Sequence, residues 1–123
     1  MHNLILKMET TLKGTVHYEV KDTVAVLTVD NPPVNPLSDG VRAGLFDGIA
    51  KAEADSNVVG VVVTGKGRAF IAGADISEFG GEGDGHGLHT VFKNLEFCSK
   101  PVVAAINGLA LGGGLETALC CNY

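Results

Sequence analysis

The stretch Asn107-Gly108-Leu109-Ala110-Leu111-Gly112-Gly113-Gly114-Leu115-Glu116 constrains this chain more than any other. Before it, Pro101 to Ile106 is an apolar run of strand type, and after it Thr117 to Cys121 has helical character. A glycine triplet therefore stands where a buried strand is expected to turn into a helix. Glycine lets the backbone take positive φ and approach a ligand closely. A helix start offers unpaired N–H groups and the positive end of the helix dipole. Together these features suit a developing negative charge, such as an enolate or oxyanion. Glu116 follows within one turn, close enough to move a proton beside that charge.

The remaining organisation reads as α/β. Val16 to Val20 and Val24 to Val29 alternate in strand fashion around Lys21-Asp22-Thr23, which predicts a hairpin. Asp30-Asn31-Pro32-Pro33-Val34-Asn35-Pro36 is a stiff, extended loop. Ser38 is placed to cap a helix that carries Val41, Leu45, Ile49 and Ala52 at helical spacing and ends near Asp55-Ser56-Asn57. Val58 to Thr64 is almost continuously β-branched, as expected of a strand buried on both faces of a parallel sheet. Ala69 to Asp75 is extended and then turns, and Ile76 to Phe79 suits a short helical turn. Gly80 to Gly87 is glycine-rich and reads as a lid. Leu88 to Cys98 is a helix with Leu88, Val91, Phe92 and Leu95 on one face, and Lys100-Pro101 opens the last strand. No repeat of fixed sequence period is visible.

Composition narrows the function classes. At 123 residues the chain is at most one domain, and with 46% hydrophobic residues it can bury a core. A formal charge of −5 argues against nucleic acid as a partner. No apolar run reaches the roughly 18 residues of a membrane span. Cys98, Cys120 and Cys121 lack metal-ligand spacing, and the adjacent Cys120 and Cys121 read as small buried residues in a reducing compartment. His86 and His89 have no acidic or cysteine partners nearby in sequence, so no metal site is expected. Lys66 and Arg68 read as surface charges, and Gly65-Lys66-Gly67 fits neither phosphate-binding loop pattern. No serine, cysteine or histidine nucleophile arrangement is visible. The chain stops at Asn122-Tyr123, early in its last helix and without a stop residue, so a fragment of a longer protein is expected. Met8 would serve as a start as well as Met1 does.

Each feature also has an ordinary reading. A tight turn uses glycine for its backbone alone. A glutamate in a first helical turn serves the dipole and the cap. Asp75 can cap the turn beyond Ala74. The triplet ahead of Glu116 favours chemistry, since no cap needs three glycines. A second glycine turn, Ala72-Gly73-Ala74-Asp75, suggests that two backbone N–H donors from separate strand ends meet at one oxygen.

Four motifs in order resemble the enoyl-CoA hydratase/isomerase (crotonase) superfamily: Asp30 to Asn35, Val61-Val62-Val63-Thr64-Gly65, Arg68 to Ile76 and Ile106 to Glu116. The wording is most like the N-terminal hydratase part of multifunctional β-oxidation enzymes. The resemblance covers the chain from about Val16 onward. It implies a crotonase-like spiral of ββα units, here its N-terminal part only: residues 1–15 would be an extension and 16–123 a partial domain. It implies an acyl-CoA thioester as substrate, with coenzyme A as part of that substrate and no separate cofactor. Oxyanion donors map to the N–H groups of Ala74 and Gly113, and the first catalytic glutamate maps to Glu116. Substrate-binding positions map to Pro33 and Val34 at the coenzyme A entrance, to Ala72, whose carbonyl would meet adenine, and to Gly73, Asp75, Ile76 and Gly112.

The family's second glutamate would lie beyond Tyr123. Ser77 stands where many members carry a lysine for the coenzyme A phosphates. The expected reaction of the full enzyme is hydration of trans-2-enoyl-CoA in fatty acid β-oxidation, with the fragment alone inactive. The alternatives are an isomerase, hydrolase or lyase of the same fold, or a non-catalytic acyl-CoA-binding or oligomerisation module. A homo-oligomer or a β-oxidation complex is the expected assembly. The expected compartment is the cytosol in bacteria, and the peroxisome or mitochondrion in eukaryotes.

Overall fold

The computed structural model describes residues 12–73 and 87–123. Strands β1 (Thr15–Lys21) and β2 (Val24–Asp30) lead into helix α1 (Asp39–Ala54). Strands β3 (Gly60–Gly65) and β4 (Ala69–Ile71) lead toward α2 (Leu88–Glu96). Strands β5 (Val102–Ala105) and β6 (Leu109–Ala110) lead into α3 (Gly113–Cys120). The described elements thus run through the ββα order three times, although the sequence shows no repeat.

A four-stranded sheet has the order β1-β2-β3-β5. The hairpin β1–β2 is antiparallel, turning through Asp22 at φ 56°, a left-handed conformation that aspartate tolerates. β2, β3 and β5 are parallel, which requires the helical crossovers between them. β4 and β6 leave this sheet and pair parallel with each other, with an irregularity between Ala69 and Ile71.

The predicted helix faces form the core. Val41, Leu45, Ile49 and Ala52 of α1 are buried against Ala25, Leu27 and Val29 of β2 and Val61 and Val63 of β3. Val91 and Leu95 of α2 are buried, with Leu88 and Phe92 packed at their edge. Phe70 is the largest fully buried side chain, which anchors β4 to this core.

Three sequence expectations are corrected. β3 is not buried on both faces; buried Val61 and Val63 alternate with half-buried neighbours because helices cover one face. Ser38 stands at the N-cap of α1, but its side chain makes no cap bond; its hydroxyl instead accepts from Asn31 Nδ2 at 2.8 Å. The last strand does not turn directly into a helix, since β6 intervenes. The expected turn at 76–79 and the lid through residue 86 lie outside the described residues.

At the hairpin's open end, His17 Nε2 stands 2.7 Å from Asp30 Oδ2, and Lys66 Nζ lies 3.5 Å from the same oxygen. The His17 hydrogen bond, helped by the Lys66 charge, holds the Asp30 carboxyl below its ordinary pKa. Such a carboxylate adds stability above the ordinary carboxylate range and loses it as pH falls through its lowered value. His17→Phe should therefore flatten the acid side of a Tm-against-pH curve below about pH 5. At neutral pH, where that stability is fully present, this exposed pair is worth at most about 1 kcal/mol. Tm there should fall by a few degrees at most, and the variant and parent curves should converge at low pH.

Candidate active site

The site is assembled where β4 ends and α3 begins. β4 and β6 lie side by side, so both glycine turns leave the same small sheet. Leu111 N–H donates to Ile71 O at 3.2 Å, which ties the approach to α3 to the end of β4. A Cβ built on Gly114 would overlap the Ile71 carbonyl, so only glycine lets the helix come this near. Gly112 takes φ 50° and ψ −115° at the N-cap, a conformation open mainly to glycine. Gly112 and Gly114 are thus required by backbone geometry and packing, and the functional reading of the triplet narrows to Gly113.

Gly113 is buried at the first position of α3. Gly114 N–H donates to Leu111 O at 2.8 Å and Glu116 N–H to Gly112 O at 3.0 Å. Among the described residues, the Gly113 N–H has no acceptor. Gly73, at φ 107°, comes from the other turn. A Cβ on Gly73 would sit 3.7 Å from Gly113 N and 3.2 Å from Leu111 O. The two glycine turns therefore meet, and the helix-start amide between them has no acceptor among the described residues.

Glu116 is exposed on the same helix, three residues after Gly113 and so on the same face. Cys120 follows on that face, and its thiol is pushed up by burial first and then by the carboxylates of Glu96 and Glu116. Burial raises the Cys121 thiol to about 11, and that side chain donates to Thr117 O. Both thiols are thereby held protonated, which removes them as nucleophiles. They are half-buried rather than fully buried as the sequence suggested.

The proline-rich loop reaches this place from β2. Pro33 and Val34 are exposed at its tip. Its base is bound to the end of β4: Leu37 N–H donates to Gly73 O at 2.7 Å and Ala72 N–H to Asn35 O at 3.3 Å. The structure thus brings together Ala72, Gly73, Gly112 and Gly113, with Glu116 one turn on and Pro33-Val34 on the attached loop. Ala74, Asp75 and Ile76 lie outside the described residues. His89 is exposed, and among the described residues no group of three or more His, Cys, Asp or Glu side chains is arranged to hold a metal. No helix among the described residues is long and apolar enough to cross a membrane.

Sequence reasoning missed three polar residues. Asn35 is buried, at φ 56°. Asn107 bonds to the turn between β3 and β4. Thr117 is wholly buried and donates to Gly113 O at 2.7 Å. The signal was present for two of them, since both asparagines lie inside the motifs.

A ββα-ordered α/β domain whose strand-end glycine turns converge on one helix-start amide, with a carboxylate following, is the frame of an acyl-transfer or enolate-stabilising protein. Residues 19–123 match the enoyl-CoA hydratase/isomerase family, and the chain belongs to that family. It is 47% identical over 104 residues to the peroxisomal bifunctional enzyme of Danio rerio, covering 85% of this chain and 14% of that protein. It is 42% identical to a probable enoyl-CoA hydratase of Bacillus subtilis, covering 89% of this chain and 45% of that protein. The crystal structure of an enoyl-CoA hydratase from Bacillus anthracis superposes with a TM-score of 0.79 at 30% identity, over 89% of this chain and 46% of that one. The crotonase-like fold inferred from the motifs is thereby established, and the chain spans less than half the length of these relatives.

Proposed function

We propose that this chain supplies the first half of an enoyl-CoA hydratase domain, with residues 16–123 forming that half. The substrate is a trans-2-enoyl-CoA, and the product is the 3-hydroxyacyl-CoA. Addition of water at the β-carbon pushes an electron pair onto the thioester oxygen. The Gly113 N–H, with the Ala74 N–H as the second donor by resemblance, receives that charge. One such donor is worth about 10²–10³ in rate. Glu116 handles a proton beside the reacting carbons, working with a carboxylate that this chain does not contain. Ala72, Gly73, Asp75, Ile76 and Gly112 line the thioester and adenine ends, and Pro33-Val34 border the entrance. Coenzyme A arrives as part of the substrate, and no other cofactor takes part.

The observation that carries this reading is the approach of the Gly73 turn to the Gly113 amide, which has no acceptor among the described residues. The relatives favour hydration over other uses of an enolate, since those named above are called hydratase or bifunctional enzyme. The peroxisomal relatives suggest that compartment for a eukaryotic source, and the bacterial ones the cytosol. The full-length protein that carries this chain should convert crotonyl-CoA to 3-hydroxybutyryl-CoA, followed by loss of the enoyl absorbance. Release of free coenzyme A thiol, or double-bond migration without water addition, would reject hydration in favour of a hydrolase or isomerase. Binding without turnover would favour a non-catalytic module.

A further inference from the structure

We infer that Asn35 and Asn107 are positioning residues that clamp the β3–β4 segment from two sides and so set how the Gly73 turn meets the Gly113 amide. The inference rests on the proposed use of Gly113 as an oxyanion donor.

Asn35 is only 1% exposed, so its amide must find all its partners within the protein. Its Nδ2 lies 3.1 Å from Lys66 O, 3.0 Å from Ala69 O and 3.2 Å from Phe70 O. Its Oδ1 accepts from Asn31 N–H at 2.9 Å, so carbonyls at one end and an N–H at the other fix the amide's orientation. Its main chain holds the same target, because its carbonyl accepts from Ala72 N–H. One residue therefore grips β4 before, within and after the strand.

Asn107 grips the segment from the β6 side. Its Nδ2 donates to Gly67 O at 3.0 Å and Ala69 O at 3.1 Å, and its Oδ1 accepts from Gly65 N–H at 3.1 Å. Ala69 O is shared by both asparagines. Asn107 also stands at the head of the chain segment that runs through β6 into Gly113. The side chain that holds β4 thus belongs to the strand connection that delivers the amide. Both side-chain amides are engaged with main-chain groups, so both act through the backbone they hold.

The test uses the full-length protein, butyryl-CoA carrying an isotope-labelled thioester carbonyl, and difference infrared spectroscopy. Butyryl-CoA has no double bond to hydrate, so the carbonyl reports hydrogen bonding without turnover. In the parent protein the carbonyl stretch should fall below that of free butyryl-CoA. Asn35→Gly keeps the positive φ without strain and removes the side-chain clamp. It should return the stretch toward the free value and lower kcat for crotonyl-CoA about 10²-fold, as expected of a small misplacement, with KM nearly unchanged. A merely structural residue would lower Tm without moving the stretch. Parent values of both stretch and kcat in a folded Asn35→Gly protein would overturn the inference. If that variant does not fold, Asn107→Ala, altering an exposed side chain, should move the stretch and kcat in the same directions, and parent values there would equally overturn it. A parent protein with no lowered stretch would reject the oxyanion reading itself, before any substitution is made.

Discussion

Glu116→Gln in the full-length protein is expected to lower kcat for crotonyl-CoA hydration by about 10²–10⁴-fold, the usual worth of a positioned proton-transfer group. The substitution keeps shape and removes only the charge and the proton-accepting power. Glu116 is exposed and its N–H already bonds to Gly112 O, so the helix should stand without the carboxylate. Loss of the first-turn charge costs the helix typically 0.3–1 kcal/mol, which predicts a small fall in Tm. KM should change little, because the carboxylate acts on the reacting carbons rather than on coenzyme A. The ordinary reading of Glu116, a dipole-pairing surface residue, predicts the same small Tm change with unaltered kcat. Steady-state kinetics beside thermal unfolding therefore separates the two readings.

How much of this was legible in the sequence depended on the range of the interaction. The faces of α1 and α2 were legible because each apolar residue repeats within a few positions, and Val41, Leu45, Ile49, Ala52, Val91 and Leu95 are all buried as their spacing implied. The hairpin was legible for the same reason. β4 and β6 were not, since strands of three and two residues carry almost no periodicity and exist by pairing with each other. Asn35 escaped notice because its acceptors lie 31 to 35 positions away. Ser38 was misread because Asn31, seven residues earlier, takes its hydroxyl. The glycine triplet was legible as a special place, but the reason offered was too broad. Gly112 and Gly114 have geometric duties of their own, and the buried Gly113 amide is the one that the Gly73 turn approaches.

That division of labour makes Gly114→Ala a strongly disruptive single methyl group. A Cβ there would run into the carbonyl oxygen and carbon of Ile71, and main-chain atoms of a paired strand cannot swing aside as a side-chain tip can. The cheapest escape is for α3 to lift away from β4, taking the Gly113 amide with it. Overpacking of this kind typically costs about 1–3 kcal/mol, so Tm should drop clearly. The helix that must move is also the one that carries Glu116, so the donor and the proton-transfer group are displaced together. A shift of about 1 Å is enough to cost roughly 10²-fold in rate, and kcat should fall by at least that factor in whatever fraction remains folded. Gly87→Ala is the matching control. Gly87 caps α2 at φ −65°, and an added Cβ there meets no atom of the described residues within 4 Å. Its Tm should stay within about 0.5 kcal/mol of the parent in stability terms. Equal Tm and kcat for Gly114→Ala and the parent protein would show that α3 does not need its close seat on Ile71. The contact between the two glycine turns would then not be what sets the site.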